Sequence, residues 1–233
     1  MQTLKRKITV PPKTIISSIW AIPQDYDGSG RDALILAHGA GNDMNNPFLS
    51  YVHESMARRG RLSVKFNFPY KEHGRKAPDR APVLENTWRA VIQSVRQDAA
   101  LRPQRLFLSG KSLGGRMASH LAAQGEDCAG LIYLGYPLHP PNNRERLRAE
   151  HLSRIRCPML FIEGTRDPLC DLALLDSVFG RLDAPTTLHT IEGGDHSFKV
   201  LKRLGRTQES VWEEIVEVMS AWIDGLSNQT MIR

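Results

Sequence analysis

The chain has 233 residues, 41% of them hydrophobic and 24% charged, with a formal net charge of +6 and a pI near 9.4. That length suits one α/β domain spanning residues 1–233, since no Pro/Gly/Ser-rich tract, repeat or low-complexity run marks a linker. No apolar run approaches the roughly 18 residues that span a bilayer and the first ten residues lack a signal peptide's apolar core, so a cytoplasmic protein without a membrane partner is expected. The excess positive charge lies in short groups without interleaved aromatics, which argues against nucleic acid as a partner.

Thr14–Ile22 is isoleucine-rich and ends at Pro23, which predicts a strand and then a turn through Gln24–Gly30. Ala33–Ala37 is continuously apolar, as in a strand buried on both faces of a parallel sheet. Asn46-Pro47 supplies a helix cap and first residue, and the helix runs through Ala57 to a stop at Gly60. Leu62, Val64, Phe66 and Phe68 alternate as a strand. Pro69 to Pro82 then reads as a long loop carrying Lys71, His73, Arg75, Lys76 and Arg80, either drawing anionic substrates or balanced by Glu72, Asp79 and Glu85.

Leu84, Trp88, Val91 and Val95 share a helical face, and Arg105–Leu108 leads as a strand into Gly110-Lys111-Ser112-Leu113-Gly114. Met117, Ala118, Leu121 and Ala122 continue as a helix that Gly125 ends. Strands at Leu131–Leu134, Met159–Ile162 and Thr187–Ile191 alternate with helical segments at Arg144–Ile155 and Leu172–Phe179. A closing helix places Val211, Ile215, Val218 and Trp222 on one face. Repeated β-α units imply a mostly parallel, twisted sheet with helices on both faces and ligands at the carboxyl ends of its strands. The three cysteines, Cys128, Cys157 and Cys170, are widely spaced with no Cys-x-x-Cys, which indicates neither a disulfide framework nor a metal site.

Strand, Gly-x-Ser-x-Gly turn and helix form the context of a nucleophile elbow, making Ser112 the candidate nucleophile. A Gly-Lys-Ser phosphate loop is excluded because Arg105 stands where that motif needs glycine. Serine needs an imidazole to take its proton and a carboxylate to orient the imidazole. His196, in Gly-Gly-Asp-His after a late strand, is the candidate base, with His38 and His120 as rivals. Asp167 is the candidate acid against Glu163, Asp171, Asp176 and the adjacent Asp195, since neighbouring side chains diverge. His38-Gly39-Ala40-Gly41-Asn42 follows a buried strand, and the N–H groups of Ala40 and Leu113 are the candidate oxyanion-hole donors. His38, Asn42, Lys111, Tyr70 and Arg75 are candidate substrate-binding residues.

In combination, His-Gly-Ala-Gly at 38–41, Gly-Lys-Ser-Leu-Gly-Gly at 110–115, Gly-Thr-Arg-Asp at 164–167 and Gly-Asp-His at 194–196 resemble the α/β-hydrolase superfamily over nearly the whole chain. Phe66–Tyr70 with Gly74–Asp79 is most similar to its small dienelactone-hydrolase-like group, which includes relatives of testis-expressed protein 30. The resemblance implies the α/β-hydrolase fold and a triad of Ser112, His196 and Asp167. It further implies hydrolysis of a small-molecule ester, thioester or other activated acyl bond, with no metal or organic cofactor. A minimal lid would come from Pro69–Pro82 and Tyr136–Ile155. Dienelactone hydrolases themselves carry cysteine at the elbow, where this chain has Ser112. The alternative is a non-catalytic interaction protein that retains the fold. Oligomeric state is not legible in the sequence.

Overall fold

The apolar runs fold as strands of one sheet in the computed structural model, which describes residues 1–26 and 32–230. In chain order the strands are β1 (Gln2–Val10), β2 (Thr14–Ile22), β3 (Asp32–Ala37), β4 (Leu62–Phe66), β5 (Arg105–Lys111), β6 (Gly130–Leu134), β7 (Met159–Gly164) and β8 (Thr186–Ile191). Their order across the sheet is β1-β2-β4-β3-β5-β6-β7-β8. β1 and β2 are antiparallel to their neighbours, and β3 to β8 run parallel.

The helices are α1 (Pro47–Arg58), α2 (Pro69–Glu72), α3 (Ala81–Arg96), α4 (Leu113–Ala123), α5 (Leu172–Phe179) and α6 (Gln208–Thr230). Asn46 caps α1 by accepting the Leu49 N–H, and Gly60 ends the turn beyond it at φ +84°. On one face of the sheet Trp88, Met117, Leu121 and Leu175 pack with Ile35, Leu108 and Leu131. On the other, Phe48, Val52, Met56, Ile215 and Met219 pack with Leu34, Phe107 and Leu160. These two dry layers supply the main stabilisation, since burial of apolar area is the dominant favourable term in folding.

The path through β3, β4 and β5 positions the site. The chain steps outward from β3 to β4, then crosses back past β3 to β5. Connections after β3 and β5 therefore depart in opposite directions and leave a crevice between them, the topological switch point where open α/β sheets bind ligands. Register aligns the strand ends, with Ala37 opposite Gly110, Gly110 opposite Tyr133, and Gly164 opposite Ile191.

Several local expectations change. β1 is a full strand that the basic residues Lys5, Arg6 and Lys7 disguise, although Ile8 and Val10 alternate inward and Arg6 lies over the Trp20 ring at 4.3 Å. As the sheet's edge it is protected by those charges. Pro69–Pro82 is not an open loop: α2 occupies its start, and Glu72 accepts the N–H and hydroxyl of Ser17, each at 3.0 Å. Arg144–Ile155 holds only a 3-10 turn at Glu150–Arg154. The α6 stripe turns on Val211, Ile215, Met219 and Ile223, with Val218 and Trp222 at its margin. Residues 27–30 of the expected Gln24–Gly30 turn lie outside the described residues. Cys128 and Cys157, distant in sequence, bring free thiols within 3.3 Å. Among the described residues no helix is long and apolar enough to cross a membrane.

Candidate active site

Ser112 stands between β5 and α4 at φ +51°, ψ −113°, in the half of backbone space that favours glycine. Glycines make that turn sterically possible. A β-carbon on Gly110 would lie 2.3 Å from the Gly115 nitrogen, and one on Gly114 would lie 2.5 Å from the Ala37 carbonyl oxygen. Strand and helix thus close on one another through bare backbone, and the serine hydroxyl is pushed out at the sheet's carboxyl edge.

The hydroxyl meets the residues that follow β7 and β8. Ser112 Oγ lies 2.9 Å from His196 Nε2, and His196 Nδ1 lies 2.6 Å from Asp167 Oδ2. An ionised carboxylate only accepts, so Nδ1 carries the proton and Nε2 is free to accept from the serine. The Asp167 side chain is 0% exposed and that of His196 23%. Asp167 Oδ1 also accepts the Leu169 N–H at 2.8 Å, which fixes the carboxylate in its plane. Asp195, the adjacent rival, instead accepts the N–H groups of Ser197 and Lys199 at 2.8 and 2.9 Å and holds the loop that presents His196. Asp171 caps α5, accepting the N–H groups of Ala173 and Leu174. His120 faces away and stacks on His151, ring centroids 3.9 Å apart.

The loop after β3 lies against the elbow: a β-carbon on Gly39 would sit 3.5 Å from Ser112 Cβ. Ala40 is exposed, and neither its N–H nor that of Leu113, the first residue of α4, donates to another described residue. His38 is buried beneath this loop with both nitrogens engaged. The Phe68 N–H donates to Nε2 at 3.2 Å, so Nδ1 carries its proton and donates to the Gly39 carbonyl at 2.9 Å. Burial lowers its pKa to about 4, keeping the ring neutral. His38 still lines the cavity beside the elbow, but both of its nitrogens are spent within the protein. Tyr70 is likewise fully buried, its hydroxyl 3.4 Å from the Gly39 carbonyl oxygen, and burial pushes it up to about 12. Arg75 pairs with Asp79 at 2.5 Å, and Asp79 accepts the Tyr70 N–H; Arg75 is not among the residues lining the cavity beside the elbow.

A cavity of about 380 Å³ opens beside the elbow, and the residues lining it include His38, Gly39, Asn42, Lys111, Phe48, Leu49 and Trp212. Asn42 and Lys111 therefore remain in contact with ligand space. The far end of Lys111 runs elsewhere, into the protein behind His196, where Nζ is buried without a hydrogen-bond partner among the described residues. Burial lowers its pKa to about 8, opposed by the charges of Asp167, Glu163 and Asp195. Glu163, at the end of β7, is fully buried; Oε1 accepts the Tyr136 N–H at 2.6 Å, and desolvation raises its pKa well above the usual carboxylate range. A β-carbon on Gly135, at φ +72°, would lie 2.8 Å from Lys111 Nζ and 3.5 Å from His196 Cε1, so both side chains border the space this glycine leaves open; Gly135 is not among the residues the sequence singles out. Its only signal there is a glycine directly after a strand. Among the described residues no three or more His, Cys, Asp or Glu cluster as a metal ion would require.

This sheet, with its strand-helix elbow at the switch point, defines an α/β-hydrolase. Residues 30–224 match the family described as alpha/beta hydrolase domain, and the chain belongs to that family. It is 24% identical over 200 residues to human alpha/beta hydrolase domain-containing protein 17B, covering 79% of this chain and 68% of that protein. A dienelactone hydrolase from Anabaena variabilis superimposes with a TM-score of 0.76 at 17% identity, covering 96% of this chain and 97% of that one. A serine hydrolase without a lid from Xanthomonas campestris does so with a TM-score of 0.68 at 22% identity, covering 85% and 87%.

Proposed function

We propose that the protein is a serine hydrolase of carboxylic esters or thioesters, working as one domain with Ser112 as nucleophile, His196 as general base and acid, and Asp167 as orienting carboxylate. The observation that carries this reading is the continuous relay of 2.9 and 2.6 Å from Ser112 through His196 to Asp167 on a strained elbow. Ser112 Oγ attacks the acyl carbon while Nε2 takes its proton. The carbonyl π electrons move onto oxygen, where the N–H groups of Ala40 and Leu113 stabilise the negative charge. Collapse expels the alcohol or thiol, which leaves with the proton from Nε2. Water then attacks the acyl-serine, gives its proton to His196 and releases the carboxylic acid with Ser112 restored.

The cavity beside the elbow, lined by Gly39 and Lys111 next to the nucleophile, is the proposed acyl site. About 380 Å³ lies near the lower end of the roughly 300–1,000 Å³ typical of small-molecule sites. Phe48, Leu49 and Trp212 suit a compact apolar or aromatic group, and Asn42 offers it one polar anchor.

A fluorophosphonate probe tests the proposal. Labelling should occur at Ser112 and vanish in Ser112→Ala, and kcat/KM for p-nitrophenyl butyrate should fall about 10⁴-fold or more. A protein that keeps the fold as an interaction scaffold would neither label nor hydrolyse the ester, and that result overturns the reading.

A further inference from the structure

Cys128 and Cys157 take no part in the proposed chemistry, yet the sheet builds them into a pair. Cys128 leads into β6 and Cys157 into β7, neighbouring parallel strands whose register sets Leu131 opposite Met159. Their sulfurs, 29 positions apart in the chain, lie 3.3 Å from one another. That is closer than the roughly 3.5–4.0 Å of an apolar contact between carbon atoms. Flanking backbone fixes the approach. The Ala129 N–H donates to the Leu106 carbonyl at 2.8 Å, the Leu131 N–H to the Pro158 carbonyl at 3.0 Å, and the Met159 N–H to the Pro185 carbonyl at 2.9 Å. The residue after each cysteine is thus tied into the sheet, and the sulfurs cannot drift apart without breaking strand pairing.

This geometry suits a covalent bridge. Neighbouring strands run about 4.8 Å apart, inside the Cα span of roughly 4.4–6.8 Å that a disulfide crosses. Rotation of the two side chains therefore suffices to bring the sulfurs to bonding distance. Both thiols are within reach of a reagent: each side chain is partly exposed, and Cys128 lines a surface pocket of about 250 Å³ together with Pro103, Gln104 and Asp127. Cys170 differs, being buried and not paired with another sulfur among the described residues. The pair also stands clear of the site. Both sulfurs lie at the amino ends of strands whose carboxyl ends carry the triad, and β6 and β7, five and six residues long, hold them about 15–20 Å from it.

We propose that Cys128 and Cys157 are a site of reversible disulfide formation, oxidised by a small soluble disulfide, and that the bridge stabilises the fold by joining the amino ends of β6 and β7. One thiolate attacks a sulfur of the reagent and expels a thiolate, which leaves a mixed disulfide. The second cysteine gives its proton to water, attacks the protein sulfur of that mixed disulfide and expels the other thiolate. The protein thiols lose two electrons and two protons, and the reagent is reduced to two thiols. With the second sulfur already in contact, ring closure outruns accumulation of the mixed disulfide. The closed loop contains β6 and the Tyr136–Ile155 segment, so the bridge restricts the unfolded chain far more than the folded one. None of this depends on the hydrolase reading.

Incubating the unaltered protein with oxidised glutathione, then alkylating with iodoacetamide and weighing the intact and digested chain, tests the proposal without any variant. The expected product is a monomer lighter by two hydrogens, with the Cys128 and Cys157 peptides linked and the link reversed by dithiothreitol. Cys170 is the reference thiol, alkylated after unfolding in both states. The oxidised protein should unfold about 5–10 °C above the reduced one. In Cys128→Ser and Cys157→Ser that difference should vanish. Free, alkylated Cys128 and Cys157 after oxidation, a glutathione adduct that persists, or a disulfide-linked dimer overturns the proposal. So does a bridged protein that unfolds no later than the reduced one.

Discussion

Replacing Asp167 by asparagine changes one atom, and the structure dictates which one. Oδ1 accepts the Leu169 N–H at 2.8 Å, Oδ2 faces His196 Nδ1 at 2.6 Å, and water does not reach the carboxylate. An asparagine that keeps the Leu169 bond must turn its NH₂ toward His196. Nδ1 can accept that donor only by giving up its own proton, which shifts the hydrogen to Nε2, directly opposite Ser112 Oγ. The reversed amide would instead set two donors against the Leu169 N–H, leaving buried groups unsatisfied at about 1–3 kcal/mol each. The wrong tautomer is therefore the stable one, and it cannot accept the serine proton. Blocking a triad in this way costs about 10⁴-fold in rate, or about 5 kcal/mol of transition-state stabilisation. The assay is kcat/KM for p-nitrophenyl butyrate at pH 8, with thermal unfolding to verify the fold. Asp195→Asn is the control, because its carbonyl can still accept from Ser197 and Lys199. An Asp167→Asn rate within tenfold of the parent, or an equal loss in Asp195→Asn, refutes the reasoning.

Two further outcomes follow from packing and burial. Gly114→Ala would place a methyl 2.5 Å from the Ala37 carbonyl oxygen, so β3 and α4 must separate; the expected cost is about 2–3 kcal/mol, read as a thermal midpoint about 4–12 °C lower, and an unchanged midpoint would contradict it. His38 at about 4, and His53 and His151 at about 3, are held neutral chiefly by burial, whereas the same residues unfolded titrate near 6.5. The unfolded chain therefore binds up to three more protons between pH 6.5 and 4, and the stability held above that window is lost as pH falls, at up to about 4 kcal/mol per pH unit. Urea midpoints at pH 7, 6 and 5 should decline steeply, with a shallower decline in His53→Gln, and a flat series would count against the burial argument.

What could be read from the sequence was what local chemistry decides. Asn46-Pro47 announces α1 because a cap and a proline act within one turn of backbone. The elbow is legible for the same reason: glycines at 110, 114 and 115 have no other common purpose between a strand and a helix. Distinguishing Asp167 from Asp195 was possible because neighbouring side chains diverge, and Asp195 is in fact occupied by its own turn. β1 was missed because lysine and arginine hide the alternation of Ile8 and Val10, although their stems lie along the sheet. Arg144–Ile155 carries charges at helical spacing but remains mostly irregular, since Tyr136 binds the Arg148 carbonyl and Arg148 donates to Leu138. Lys111 reads from the sequence as a cation open to substrate beside the elbow, whereas its Nζ is buried. Its burial depends on Gly135, from the next strand along, and such a three-strand juxtaposition has no local signature.

The same elbow that exposes the serine carries a conformational cost. At φ +51°, ψ −113° any residue with a β-carbon is strained, by a cost of order 1–3 kcal/mol. Close backbone contacts at Gly110, Gly114 and Gly115 hold the turn fixed, so the strain cannot relax without parting β5 from α4. A variant that removes the β-carbon should recover part of it. Ser112→Ala and Ser112→Gly both lack the hydroxyl, so comparing them cancels its hydrogen bond to His196. Glycine relieves the strain but gains freedom in the unfolded chain, an opposing term of about 0.5–1 kcal/mol. The balance leaves Ser112→Gly more stable than Ser112→Ala by about 1 kcal/mol, or about 2–4 °C in thermal midpoint for a chain of this size. Differential scanning calorimetry on the two inactive variants measures that difference. Equal midpoints, or a lower one for glycine, would mean that the elbow is not strained and that serine is exposed there without energetic cost.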